Sequence, residues 1–317
     1  MAFGFPIANV YNNLTNVIMT IEPKRTKRTK GRKKETAKKL LVNAHYDATL
    51  GSPGASDCAS CVGVGVEVAR ALLKTTKKGK TTNAVFLFNG GEETLMQAAH
   101  GFMQWSPSAK DVGAFINIES TGPWGPDVLF QHQGWALEAY AKAAPRPRGN
   151  SVAQDFFELG VIPADTDYRV LRERSEDAGK AGKAGNAGNT GNERIPGVDV
   201  AFLFDGLAYH TKEDTWTRIR PGTLQGMGEN VLAAAVEFME VLEGLDRHQA
   251  VEKKGFDARK SVFADVGGRI MVVYPFWLAR VLHVAPLAFF SIGRARAAGR
   301  AGLQSSSAGA GLRERDR

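Results

Sequence analysis

Residues 40–47 read LLVNAHYD and residues 84–93 read AVFLFNGGEE. Each opens as an unbroken apolar run and closes on ionisable side chains, the form taken by a strand buried on both faces of a parallel sheet as it reaches the sheet's rim. The same form returns at Ala114 to Ile118, followed by Glu119, and at Val198 to Phe204, followed by Tyr209 and His210. Between these runs Val62 to Leu73, Leu95 to Trp105 and Trp135 to Ala144 can form helices, and Thr223 to Leu245 supplies a longer one able to cover the sheet. Strands alternating with helices predict an α/β fold, a three-layer sandwich around a mixed, largely parallel central sheet. Val10 to Glu22 alternates apolar and polar residues and predicts a further strand.

The 317 residues are 43% hydrophobic and 23% charged, which excludes a disordered chain and suffices for one large core or two modest ones. The net charge is +8, from 41 Lys and Arg against 33 Asp and Glu. Lys24 to Lys39 holds ten of those cations against one Glu, a local +9, so the remainder is near −1. That run has no interleaved aromatic residue and no helical spacing; it predicts a solvated hairpin loop, and no nucleic-acid partner is expected. The Gly, Ala, Asn and Lys tract at 178–192 reads as a flexible insertion, and 293–317 as a disordered tail.

No secretory signal is legible at the amino end. Residues 270–292 are almost wholly apolar and about as long as a membrane helix must be. Arg280 inside the stretch costs about 2.5–3.5 kcal/mol on insertion scales, and Pro275 and Pro286 kink it, so an amphipathic or buried helix stays open beside a spanning one. Asn13-Leu14-Thr15 is a glycosylation sequon, usable in the secretory pathway. Cys58 and Cys61 are too few for a disulfide scaffold or a Cys-rich zinc site. A small buried thiol at a helix start is expected at Cys58, ahead of a redox pair or disulfide with Cys61.

Carboxyl ends of strands in an open α/β sheet form the crevice where ligands bind, so the groups that follow the four runs can converge there. Two imidazoles, His45 and His210, with several carboxylates and no thiolate needed, suit divalent zinc. In His45-x-Asp47 the carboxylate can accept the free ring N–H, leaving the other nitrogen for metal, and Asp214 is spaced to do the same for His210. Glu92 and Glu93 cannot both face one metal in an extended segment, so one ligates while the other acts as base. Singly, a strand-end His is more often structural and a Glu-Glu pair more often marks a solvated helix start. Five ligand-type residues, each after a strand or at a helix start, reverse that balance.

The blocks LLVNAHYD, SPGASD, AVFLFNGGEE, FINIES, IPADTDYR, IPGVDVAF and YHTKEDT occur in this order between Val10 and Leu245. They resemble the signature blocks of the zinc-dependent aminopeptidase family of clan MH, most of all its endoplasmic-reticulum metallopeptidase branch and the related vacuolar membrane proteases. The resemblance implies a zinc exopeptidase acting on peptide substrates, with two zinc ions held by His45, Asp57, Glu93, Glu119 and His210 and bridged by Asp57. It implies Glu92 as general base and Tyr209 as the residue that steadies the tetrahedral intermediate. It also implies a peptidase domain over 1–250 in the lumen of the endoplasmic reticulum, or at the vacuolar membrane, and a membrane span at 270–292. An opening membrane helix is expected ahead of Met1, so the domain is expected to be truncated at its amino end. One departure stands out: the family usually has Asp-Asp, joined by a cis peptide, where this chain has Asp57-Cys58. A hydrogen-bonding carboxylate is lost there, though no ligand. Two other readings keep the fold: a one-zinc enzyme like glutaminyl cyclase, and a catalytically inactive lumenal binding domain.

Overall fold

The computed structural model describes residues 10–22, 38–76, 83–162, 164–173, 194–244 and 261–313. Most of the basic run, residues 24–37, and the insertion at 178–192 lie outside the described residues. The chain divides into two compact units, Met1–Val273 and Tyr274–Arg317.

The first unit is built on β1 (Asn16–Ile21), β2 (Lys39–His45), β3 (Ala84–Asn89), β4 (Val112–Ser120), β5 (Val128–Gln133) and β6 (Gly197–Phe202). They form one sheet in the order β1-β3-β2-β4-β6-β5. The four central strands run parallel and the two edges, β1 and β5, antiparallel. This is the mixed, largely parallel sheet that the apolar runs predict. The helices are α1 (Cys61–Thr76), α2 (Gln97–Trp105), α3 (Ala136–Ala143), α4 (Ser151–Glu158), α5 (Tyr168–Leu171) and α6 (Thr223–Gly244).

Period-two alternation sorts the strand side chains onto two faces. Leu40, Val42 and Ala44 of β2, Phe86 and Phe88 of β3 and Ile116 and Ile118 of β4 join Val68 and Leu72 of α1, Tyr140 of α3 and Val231 and Phe238 of α6 in one buried cluster. Leu41, Val85, Leu87 and Phe115 pack on the opposite face against Phe102 and Met103 of α2 and Tyr168 and Leu171 of α5. Helices on both faces make the three layers. The second face changes character toward the strand ends, where Asn43, His45, Asn89, Asn117, Glu119 and Asp199 are all buried.

After α6, β7 (Ser261–Val266) and β8 (Ile270–Pro275) form a separate two-stranded sheet. Gly267 and Gly268, both at positive φ, turn the chain between them. The span expected over 270–292 is therefore corrected at its start. Residues 270–275 are a strand, and α7 (Phe276–Arg313) begins only after Pro275, whose preceding residue is disfavoured in a helix. One apolar run covers both elements, so composition does not mark the switch. Within α7, Phe276–Ala298 is long and apolar enough to cross a membrane. The helix continues to Arg313, where composition predicts a disordered tail from residue 293; Ala, Arg, Leu and Gln in that segment are strong helix formers.

Candidate metal centre

Four strand ends and one helix start deliver the predicted residues to one place. His45 ends β2, Glu92 and Glu93 follow the turn after β3, Glu119 lies near the end of β4, Asp57 sits in a π-helical turn (Ala55–Ser60) before α1, and Tyr209 and His210 follow β6. His45 Nε2 lies 3.1 Å from Asp57 Oδ1 and 3.4 Å from Glu119 Oε2. His210 Nε2 lies 3.1 Å from Asp57 Oδ2 and 3.1 Å from Glu93 Oε2. Each oxygen of Asp57 thus meets one imidazole, and each imidazole meets one further carboxylate. The donor atoms in each of the two groups lie within 4.8 Å of one another.

Asp57 Oδ2 supplies a test of fit. It is buried and makes no hydrogen bond, although His210 Nε2 is 3.1 Å away. Atoms that are near but not aimed at each other are what a shared third partner requires, and nitrogen with carboxylate oxygen is a donor set suited to zinc. His45 and Asp57 are buried, whereas His210 is partly open to solvent, giving the site a wet side.

Charge crowding is plain in the titration behaviour. Burial, then the charges of Glu119 and Asp167, push the Glu92 carboxyl well above the usual range, and burial raises Glu93 as well. Burial works to raise Asp57, but the nearness of His210 and His45 outweighs it and leaves Asp57 lowered. Burial works to lower His45, and Glu119, Asp47 and Asp57 overcome it, holding this imidazole well above 6.5. His210 is raised by its contact with Asp57.

The surrounding groups hold this arrangement. Asp47 accepts hydrogen bonds from the backbone N–H groups of Glu92 (3.2 Å) and Glu93 (3.1 Å). Its carboxylate lies 3.4 Å, and its carbonyl oxygen 3.0 Å, from His45 Nδ1, as the His-x-Asp spacing predicts. These acceptors fix the proton on Nδ1 and leave Nε2 facing Asp57 and Glu119. Thr49 donates from its backbone and hydroxyl to the two oxygens of Glu93 at 3.0 and 2.6 Å. Tyr209 stacks on the His210 ring, centroids 3.6 Å apart, and burial with the charge of Asp57 and Glu119 keeps its hydroxyl protonated.

Two expectations are corrected here. The Asp214 carboxylate does not face His210; it accepts from Ser56 N at 2.9 Å, Ser56 Oγ and Asp57 N at 3.1 Å, while its carbonyl oxygen accepts from Ala55 N at 3.2 Å. Asp214 therefore fastens the turn that carries Asp57. Gly54 opens that turn at φ +63, and a Cβ there would lie 2.5 Å from the Cβ of Ala48. The second correction concerns Cys58, which forms a disulfide with Cys61 in place of the expected buried thiol. A separation of three residues at a helix start brings their Cα atoms to 5.0 Å, inside the range a disulfide spans. The Asp57-Cys58 peptide is cis.

Sequence reasoning did not single out a row of polar groups beneath the site. Asn43, Asn117, Asp199 and Gln131 lie side by side on β2, β4, β6 and β5. Asn43 donates to Asn117 Oδ1 at 2.7 Å and to Asp167 Oδ2 at 2.8 Å; Asn117 donates to Glu119 Oε1 at 3.2 Å and to Asp199 Oδ1 at 3.0 Å. The row connects Glu119 to the middle of the sheet. Burial pushes Asp167 up to about 7 and Asp199 well above the carboxylate range. The available signal was an Asn two residues before each of His45 and Glu119, inside otherwise apolar runs.

An α/β sheet whose rim gathers two metal-capable clusters around a shared carboxylate has the architecture of a metal-dependent hydrolase. The chain belongs to Peptidase family M28, whose family model matches residues 16–235, and that family is zinc-dependent. Endoplasmic reticulum metallopeptidase 1 of Homo sapiens is 36% identical over 276 residues, covering 86% of this chain and 27% of the relative. A vacuolar membrane protease of Yarrowia lipolytica is 28% identical over 254 residues, covering 78% and 22%. The chain spans about a quarter of the length of the curated relatives it matches. Among solved structures, an aminopeptidase from Aneurinibacillus sp. strain AM-1 is similar with a TM-score of 0.46 at 19% identity, covering 70% of this chain and 47% of the other. Tannerella forsythia glutaminyl cyclase gives 0.46 at 16% identity, covering 70% and 78%. Likeness at this level carries no argument about activity.

Proposed function

We propose that the chain is a two-zinc aminopeptidase-type hydrolase that cleaves peptide bonds at the amino end of a substrate, held at the endoplasmic-reticulum membrane by α7. The observation that carries this reading is the Asp57 carboxylate, whose two oxygens each meet a separate imidazole that in turn meets its own carboxylate. Electrostatics supports it. Asp57, Glu92, Glu93 and Glu119 bring up to four negative charges into a largely buried space, and two protonated imidazoles would offset only half of them. Two dications balance all four. In this reading His45, Asp57 and Glu119 would hold one zinc and Asp57, Glu93 and His210 the other.

Zinc bound there supplies Lewis-acid polarisation of the scissile carbonyl and an acidified water. Glu92, whose carboxyl burial already biases toward proton uptake, takes a proton from the attacking water at a carboxylate oxygen and passes it to the leaving amine. Tyr209 stays protonated and donates its hydroxyl hydrogen to the developing oxyanion. His210's partly open side admits the substrate, and Asp47, Thr49 and Asp214 hold the groups in place.

Zinc analysis and turnover of aminoacyl substrates test the proposal together. Wild type is expected to hold two zinc ions per chain, and Glu92→Gln to retain both while losing about 10²–10⁴-fold in turnover. Unchanged turnover refutes the role of Glu92. One zinc per chain with cyclisation of amino-terminal Gln establishes the cyclase-like reading instead, and no bound zinc the inactive binding domain.

A further inference from the structure

The Cys58–Cys61 disulfide lies against the metal centre, one residue from Asp57. Cys58 Sγ is 4.0 Å from Glu119 Oε2, and it lies within 4.8 Å of donor atoms on His45, Asp57 and Glu119. A sulfur and an oxygen bound to one tetrahedral zinc stand about 3.6 Å apart, so a shift of a few tenths of an ångström brings this sulfur into range of the Glu119 oxygen, and one of about an ångström at most into range of His45 and Asp57. In the disulfide it is a neutral sulfur, whereas zinc is bound by thiolate. Cys61 Sγ has another partner at hand, the carbonyl oxygen of Ser56 at 3.7 Å, which can accept from its thiol once the pair parts.

We propose that Cys58 is a zinc donor withheld by the disulfide, and that reduction of the Cys58–Cys61 bond converts the His45, Asp57 and Glu119 side of the centre into a four-donor site. The inference rests on the two-zinc reading above. A dithiol reductant supplies the electrons. Its thiolate attacks one sulfur, its second thiol resolves the mixed disulfide, the S–S bond breaks and two S–H bonds form as the reductant closes its own disulfide. Coordination then releases the Cys58 proton to solvent. Imidazole, two carboxylates and thiolate complete a tetrahedral shell with no open position, the form of a structural zinc site rather than a catalytic one. An oxidising compartment keeps the donor locked away and the centre open to water.

Cobalt spectroscopy on the full chain decides the matter without relying on activity. Protein is reduced with dithiothreitol, freed of reductant, loaded anaerobically with Co²⁺ and compared with oxidised wild type, Cys61→Ser and Cys58→Ser. A near-ultraviolet thiolate-to-cobalt charge-transfer band is expected in reduced wild type and in Cys61→Ser, and absent from oxidised wild type and Cys58→Ser. Visible d–d bands without the charge-transfer band in reduced wild type and Cys61→Ser leave the metal centre standing and overturn the donor. A charge-transfer band retained by Cys58→Ser assigns the sulfur to Cys61 and overturns it equally. A bond that resists dithiothreitol overturns the reduction step, with Cys61→Ser still deciding the donor. Failure of every form to take up cobalt removes the metal reading itself.

Discussion

Tyr209, half-buried, and His132, buried, are titratable groups with opposite uses. The Tyr209 hydroxyl keeps its proton because burial and four nearby carboxylates oppose a phenolate, so it can only donate. Tyr209→Phe is expected to lower kcat about 10²-fold, with zinc content and KM near wild type, because a donor to an oxyanion acts in the transition state alone; steady-state kinetics beside zinc analysis checks this. His132 lies across the sheet from the site, its ring edge-on to Phe263 at 5.3 Å and its Nδ1 without a hydrogen-bond partner. Burial lowers its pKa from 6.5 to about 4. Below pH 6.5 the unfolded chain takes up a proton that the folded chain refuses until about pH 4. Stability is therefore intact above pH 6.5 and falls through that window, by about 3 kcal/mol in all. Urea denaturation from pH 7 to pH 4 should show His132→Leu escaping this loss, and parallel pH profiles for wild type and variant would exclude it.

Asp214 acts on an element rather than on an atom of the site. Three successive backbone N–H groups, of Ala55, Ser56 and Asp57, end on this one residue, so the turn before α1 is fastened to the loop after β6. Asp214→Ala leaves buried donors of that turn unpaired and frees Asp57 to drift. Zinc competition titrations should show affinity lowered about 10–100-fold, the loss typical when support of a ligand is removed, while Asp214→Asn, which keeps an acceptor oxygen, should lose less. Nothing in the YHTKEDT block reveals this contact, because spacing along a loop does not report which backbone groups lie across the sheet. Strands β2, β3, β4 and β6 were legible for the opposite reason: burial on both faces writes an apolar run into the sequence, and the ionisable residue that ends each run marks the rim. Strand β5, VLFQHQ, was not legible because Gln131 and His132 interrupt its pattern. β8 was hidden by running into the apolar start of α7. Candidate ligands were readable as residue types at strand ends, while the Asn43, Asn117 and Asp199 row depends on neighbours from other strands and the disulfide on the local backbone of the turn that carries Asp57.

On the scale of the whole molecule, the proposed function has α7 anchor the chain with the first unit in the lumen. Helix α7 presents Leu282, Val284, Leu287, Phe289, Phe290 and Ile292 exposed, and its stretch Phe276–Ala298 is long enough to span. Cations flanking such a stretch favour the cytoplasmic side. The twenty residues before Phe276 hold Arg259, Lys260 and Arg269 and the twenty after Ile292 hold Arg294, Arg296 and Arg300, so flanking charge is balanced and does not set an orientation. The Cys58–Cys61 disulfide is of the kind that persists in an oxidising compartment, as the proposed lumenal location requires. The sequon at Asn13 makes the orientation measurable, since Asn13, Leu14 and Thr15 are exposed ahead of β1. Expressed in a eukaryotic secretory system with an amino-terminal targeting segment, the chain should gain one glycan that endoglycosidase removes and Asn13→Gln abolishes. Its membrane pellet should resist alkaline extraction until α7 is deleted. An unglycosylated, membrane-embedded wild type would place the catalytic unit on the cytoplasmic face, where thiol buffers reduce disulfides and the Cys58–Cys61 bond would not be expected to survive.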